Sequence, residues 1–304
     1  MCGIIGYVGH RSGLNVALEA LRRMEYRGYD SSGIAVADGQ GGLGVVKRAG
    51  KLANLDDLIE EVGADTLQGS TAIGHTRWAT HGRPTDVNAH PHVSFDNKAA
   101  IVHNGIIENF APLRAELEAA GVELKSDTDS EVAAHLLARA YNEGDTAGDF
   151  EASARLVLSR LEGAFTLLMM HADHPDKIIA GRRSTPLIVG VGDNEMFLGS
   201  DVAAFIEYTK DAVELNQDNM VIITAGGYEI FNFDGSPAQG KPFRIDWDLA
   251  AAEKGGYDSF MMKEIHEQPA AVRDTLAGHF RDGRVVLDEQ NLSESDMKNL
   301  DKVY

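Results

Sequence analysis

From Gly163 to Asn232 the chain is a succession of short strand-like runs, FTLLMM, KIIAG, PLIVGV, EMFLG, MVIIT and YEIFNF, each parted from the next by turn residues. Segments this rich in β-branched and aromatic residues fit a pleated surface, so this half of the chain must build sheet. The opening residues carry the same pattern: Gly3–Val8, Gly33–Ala37, Thr71–Trp78 and Ala99–His103 read as strands. Between the strand-rich ends lie helical patterns over Ala111–Ala120, with Pro112 in the first turn, over Ser130–Tyr141, with Asp129 at the cap, and over Phe150–Leu161. An earlier helix behind Ser12 places Leu14, Ala17, Leu18 and Leu21 on one face. Strands at both ends of a helical block imply layered sheets and helices of the α+β class, in preference to a parallel doubly wound fold.

Around Asn232–Lys241 the chain turns to FDGSPAQGK, which sets a boundary between a first domain, 2–236, and a remainder, 237–304. That remainder is polar, with a helical pattern from Ser259 that Pro269 interrupts, and it lacks the core density to stand alone. It reads as a linker and the beginning of a further domain.

With 28 basic and 47 acidic residues the net charge is -19, which repels phosphate backbones and anionic membranes and argues against a nucleic-acid partner. The start MCGIIGYVGH has neither the basic opening nor the long apolar run of a secretory signal, and no segment approaches membrane-spanning length, so no membrane association is expected. Cys2 is the only cysteine, which removes intramolecular disulfides, cysteine-held zinc and iron–sulfur clusters together. A cytoplasmic setting fits.

Two patterns invite chemistry that their context does not support. Gly39, Gly41 and Gly44 satisfy G-x-G-x-x-G after a strand, but VVKRAG follows as a second strand, so no helix N-terminus awaits a pyrophosphate and the glycines read as a hairpin turn. His75, His81, His90 and His92 suggest a metal, yet no acidic ligand clusters with them and H-E-x-x-H is missing. Neither a metal nor another cofactor is expected.

Cys2 heads the Gly3–Val8 strand, and removal of Met1 would leave its thiol and a free α-amino group on one residue. An α-amine titrating at ~7.7–8.0 can take the thiol proton near neutral pH. A cysteine at position two is equally compatible with incidental burial, so its surroundings decide. The run MCGIIGYVG, the loop YRGYDSSG at Tyr26–Gly33, HTRWATHG at His75–Gly82 and HNGIIEN at His103–Asn109 together resemble class II glutamine amidotransferases of the N-terminal nucleophile hydrolase superfamily. The resemblance implies a four-layer αββα sandwich with two mainly antiparallel sheets, and L-glutamine as substrate.

On this resemblance Cys2 is the nucleophile, and the Asn104 amide with the Gly105 backbone N–H forms the oxyanion hole. Arg77 pairs the glutamine carboxylate beside Thr80 and His81, and Asp129 pairs its ammonium group with help from the Gly105 carbonyl. The chemistry needs such groups, because attack on an amide puts negative charge on its oxygen and a guanidinium fork matches a carboxylate. Arg27 and Asp30 form an ion pair that fixes the loop beside the nucleophile. Trp78 guards an ammonia passage, or is simply a packed aromatic. Asn104–Gly105 as a plain turn and Asp129 as a plain helix cap stay open.

YRGYDS, HTRWATHG and VNAHPH are most similar to members of the family that pass ammonia to fructose 6-phosphate in a second, sugar-isomerase half and work as homo-oligomers. YDSFMMKEIHEQP and LDKVY resemble the start of that half. Fructose 6-phosphate is thus expected to engage only residues beyond Tyr304. Another class II amidotransferase, or a glutamine-binding module without turnover, are the competing readings.

Overall fold

The computed structural model describes residues 2–78, 82–246, 257, 260–276, 280–281 and 284–285, in two compact units, Met1–Ala252 and Glu253–Tyr304. The first unit opens with β1 (Gly3–Val8) and α1 (Gly13–Met24), then forms the hairpin β2 (Ser31–Ala37) and β3 (Leu43–Ala49), α2 (Leu52–Val62) and β4 (Thr71–Arg77). A long loop leads to β5 (His92–Val93) and β6 (Ala99–Ile107), followed by α3 (Phe110–Ala119), α4 (Ser130–Asn142) and α5 (Phe150–Arg160). The strand-rich half supplies β7 (Gly163–His171), β8 (Lys177–Arg183), β9 (Ile188–Val191) and β10 (Met196–Gly199). It ends in β11 (Asp211–Glu214), β12 (Asn219–Thr224), β13 (Gly227–Asn232) and β14 (Lys241–Arg244).

These strands sort into an eight-stranded sheet, β14-β11-β9-β10-β1-β4-β2-β3, and a six-stranded sheet, β13-β12-β8-β7-β6-β5. The paired strands run antiparallel. Strand alternation then divides the core among layers. Ile4 and Ile5 are neighbours on β1, yet Ile5 packs with Leu21 of α1 and Leu55 of α2, whereas Ile4 packs with Val102 and Leu168 of the facing sheet. On the far side, Leu117, Leu137 and Leu158 of the helices α3 to α5 cover Ile101 and Leu167. Helices, two sheets and helices make the four-layer αββα sandwich that the resemblance implied.

Two features go beyond the sequence reading. β14 is the short run KPFR, too polar to read as a strand alone, and it becomes one by adding to the sheet edge at β11, with Val213 opposite Pro242. The first unit therefore runs past residue 236 to Ala252. In the second unit, α6 (Phe260–Leu276) continues through Pro269, where an interruption was expected; a proline removes one N–H and bends a helix without always ending it. That unit also holds the short antiparallel pair β15 (Phe280–Arg281) and β16 (Arg284–Val285). Among the described residues no helix is long and apolar enough to cross a membrane.

Candidate active site

β1 and β4 are neighbours at the centre of the eight-stranded sheet, with Gly3 opposite Thr76 and the Gly3 N–H held by the Thr76 hydroxyl at 3.2 Å. That register carries Cys2, just ahead of β1, to the end of β4. Its Sγ lies 3.2 Å from the Trp78 N, which donates to it, and 3.5 Å from the Trp78 carbonyl oxygen. β6 of the facing sheet passes the same point, and a cavity of ≈ 40 Å³ there is lined by Cys2, Arg77, Trp78, Gly105 and Asp129 among others. So small a space holds a few waters, and a larger ligand requires its mouth to widen.

The thiol is not activated by its surroundings alone. Burial raises the Cys2 pKa, while the Trp78 N–H and the charge of Arg77 act against it. A base is needed near neutral pH. Arg77 is 5% exposed; burial lowers its pKa, and Cys2, Asp30 and Asp129 oppose that shift.

Asn104–Gly105 is not a turn. β6 continues through both residues to Ile107, with Gly105 opposite Phe165 of β7. Gly105 adopts φ +121, and a Cβ there would stand 2.0 Å from the Ala164 carbonyl oxygen, so the strand passes this point only as glycine. The Asn104 side chain donates through Nδ2 to the Cys2 carbonyl at 3.1 Å, while its Oδ1 lies 3.0 Å from His75 Nε2. Asp129 occupies the N-cap position of α4 but makes no capping bond with its side chain. Its Oδ2 accepts instead from the Ile107 N–H at 2.7 Å, which turns the carboxylate towards β6.

The loop after α1 is pressed onto the site. Asp30 N–H donates to the Arg77 carbonyl at 3.0 Å, and a Cβ on Gly28 would lie 2.7 Å from the Arg77 carbonyl carbon. Arg27 forms an ion pair with Asp201, beyond β10, and its guanidinium sits 5.6 Å from the centre of the Tyr26 ring. Trp78 is 43% exposed and meets the Tyr29 ring edge-on at 5.3 Å, so it is no ordinary core aromatic. Thr80 and His81 lie outside the described residues.

Beneath the cavity the sequence motifs conceal a stack of histidines. His75 and His90 are parallel at 4.2 Å, with His92 edge-on to His90 at 4.6 Å. Burial lowers all three pKa values, that of His75 to about 3. His92 Nε2 pairs with the Thr128 hydroxyl at 3.0 Å and His103 Nδ1 with the Ser130 hydroxyl at 2.8 Å. The rings stack instead of converging nitrogens, and among the described residues no group of three His, Cys, Asp or Glu could hold a metal.

A wider cavity of ≈ 870 Å³ lies elsewhere in this unit, lined by Lys47, Phe95, Glu131 and His135 among others. Two of its charges already have internal partners. Lys47 Nζ donates to the carbonyls of Val87, Ala89 and Pro91, and Glu131 accepts the N–H groups of Lys125 and Ser126. The small cavity at Cys2, where a thiol, a guanidinium and a carboxylate converge, is better equipped for chemistry than this wider one.

Residues 46–232 match the model of the glutamine amidotransferase domain. Over all of this chain and 50% of the relative, the identity is 64% to the glutamine–fructose-6-phosphate aminotransferase [isomerizing] of Mycolicibacterium smegmatis. It is 57% to that of Corynebacterium glutamicum over 49% of that relative. The chain thus spans about half the length of the curated relatives it matches. Among solved structures, the glutamine phosphoribosylpyrophosphate amidotransferase from B. subtilis superposes with a TM-score of 0.65 and 27% identity, over 76% of this chain and 49% of that one. A fold of two antiparallel sheets between helices, with Cys2 held against Arg77 and Asn104, and these matches lead to one conclusion: the chain belongs to the glutamine amidotransferase family.

Proposed function

We propose that this chain hydrolyses the side-chain amide of glutamine to glutamate and ammonia through a γ-glutamyl thioester on Cys2. After removal of Met1, the α-amine of Cys2 takes the thiol proton and Sγ attacks the carbonyl carbon of the side-chain amide. The oxygen of the tetrahedral adduct is held by the Asn104 amide and the Gly105 N–H. Ammonia leaves with the proton returned by the amine, and water resolves the thioester. Arg77 binds the substrate carboxylate with Thr80 and His81 beside it, and Asp129 with the Gly105 carbonyl binds the ammonium group. Arg27 and Asp30 hold the flanking loop, and Trp78 covers the path by which ammonia departs.

The observation that carries this reading is that one small cavity is lined by the only cysteine, by Arg77 and by Asp129. A free amino acid brings one carboxylate and one ammonium group, and a selective site must pair both, since an unpaired buried charge costs several kcal/mol.

In the longer protein the ammonia passes to fructose 6-phosphate bound by the sugar-isomerase half, in a homo-oligomer, so this chain alone has glutaminase but no synthase activity. The test is ammonia release from glutamine by protein whose intact mass shows Met1 removed. Turnover should disappear in Cys2→Ala and in protein that keeps Met1. Ammonia release by Cys2→Ala would overturn the reading.

A further inference from the structure

We infer that His75 is a positioning residue for the oxyanion hole: its Nε2–H grips the side-chain oxygen of Asn104 and thereby aims the amide nitrogen at the oxygen of the carbonyl that Cys2 attacks. This rests on the reading of Cys2 as the nucleophile.

Both ends of the Asn104 amide are dictated by groups that can play only one part. His75 Nε2 lies 3.0 Å from the His103 carbonyl oxygen and 3.0 Å from Asn104 Oδ1. A carbonyl oxygen only accepts, so Nε2 must carry the hydrogen, and the neutral ring is the Nε2–H tautomer. That N–H demands an oxygen from Asn104. At the other end the Cys2 carbonyl, again an acceptor only, lies 3.1 Å away and demands the NH₂ group. A flipped amide would set oxygen against oxygen and N–H against N–H, so one orientation survives. Of the two Nδ2 hydrogens one goes to the Cys2 carbonyl, which leaves the other for the substrate oxygen.

The ring itself is held for this one task. His75 is 1% exposed and stacked on His90, whose Nδ1 accepts the His103 N–H at 3.2 Å. Its Nδ1 is buried with no hydrogen-bond partner. Burial keeps the ring neutral down to a pKa of about 3, so the donor does not change across ordinary pH. When the C–S bond forms and the carbonyl π pair moves onto oxygen, the thiol proton goes to the α-amine. The oxyanion then meets an amide N–H already polarised by the bond at its far end.

The test compares His75→Phe, which keeps a ring without the N–H, with His75→Gln, whose amide can present an N–H where Nε2 was. His75→Asn reaches only the Nδ1 position. Ammonia release should fall about 10²-fold in kcat for His75→Phe and His75→Asn, with KM for glutamine unchanged, and recover substantially in His75→Gln. In an Asn104→Ala background, His75→Phe should cause no further loss. Affinity for the γ-aldehyde analogue of glutamate, which adds to the thiol and places its oxyanion in the hole, should fall by the same factor as kcat. Three results would overturn the inference: wild-type kcat in His75→Phe, a full additional loss in the Asn104→Ala background, or equal activity of the Asn and Gln variants. If His75→Phe does not fold, the Gln and Asn variants decide. A processed wild-type chain that releases no ammonia would sink the nucleophile assignment first and this inference with it.

Discussion

Replacing Gly105 by alanine should be far costlier than an ordinary glycine substitution, and the structure separates the reasons. A non-glycine residue at φ +121 sits in a disfavoured region, which costs ~1–3 kcal/mol. In addition, its Cβ would stand 2.0 Å from the Ala164 carbonyl oxygen, a backbone atom of the paired strand β7 that cannot rotate away. Forcing β6 and β7 apart is overpacking, worth ~1–3 kcal/mol more. The sum, ~2–6 kcal/mol, is a large part of the ~5–15 kcal/mol of a typical domain. Gly121 is the control, since it too has positive φ, +82, but nothing lies within 4 Å of its Cβ, so Gly121→Ala carries only the conformational cost of ~1–2 kcal/mol. Urea unfolding of both variants beside wild type isolates the contact as their difference in midpoint at constant m. Ammonia release should also fall about 10²-fold in Gly105→Ala, because the strand that carries the oxyanion donor has shifted. Equal destabilisation of the two variants would refute the close approach, and full activity in Gly105→Ala would refute the placement of the donor.

Further expectations follow from single contacts. Asp129→Asn keeps the bond from the Ile107 N–H but removes the charge meant for the substrate ammonium, so KM for glutamine should rise roughly 10²-fold with a smaller change in kcat; an unchanged KM in steady-state assays would remove Asp129 from the site. Burial pushes the Glu131 pKa up, but bonds from His135, Lys125 and Ser126 outweigh it and bring the value down to about 2 from 4.5. A depressed carboxylate stabilises the fold above 4.5 and loses that contribution as pH falls towards about 2, because the unfolded chain binds the proton first. The stake is about 3 kcal/mol, and Glu131→Gln should flatten the acid limb of a pH series of urea midpoints, where an unaltered limb would contradict the assignment. Leu158 is fully buried between α5 and the six-stranded sheet, so Leu158→Ala should cost ~3–5 kcal/mol in the same unfolding assay, and a loss under ~1 kcal/mol would mean the site collapses.

Periodicity made most of the sandwich legible, because its strands and helices are amphipathic and short-range patterns report which face is buried. β11 and β14 escaped it, since DAVE and KPFR are too short to show a period and become strands by pairing onto the sheet, β11 beside β9 and β14 beside β11 at the edge. α2 carries a readable signal, with Leu52, Leu55 and Ile59 buried at helical spacing. In the site, Cys2, Arg77, Asn104, Gly105 and Asp129 could be named in advance because each sits in a compact motif. Their neighbours could not. Arg27 reaches Asp201 across 174 positions, and His75 reaches Asn104 across 29. Side-chain contacts between distant strands leave no trace in local spacing, which is why the stacking of His75, His90 and His92 is visible only in the fold.

The reading turns on the thiol of Cys2 being the group that meets the side-chain amide carbon of glutamine. Incubating the Met1-processed chain with an electrophilic glutamine analogue, followed by intact mass and peptide mapping, tests it most directly. The account predicts one adduct per chain, on Cys2, formed more slowly when glutamine competes. Modification at any other residue, or an equal adduct on Cys2→Ala, would contradict it.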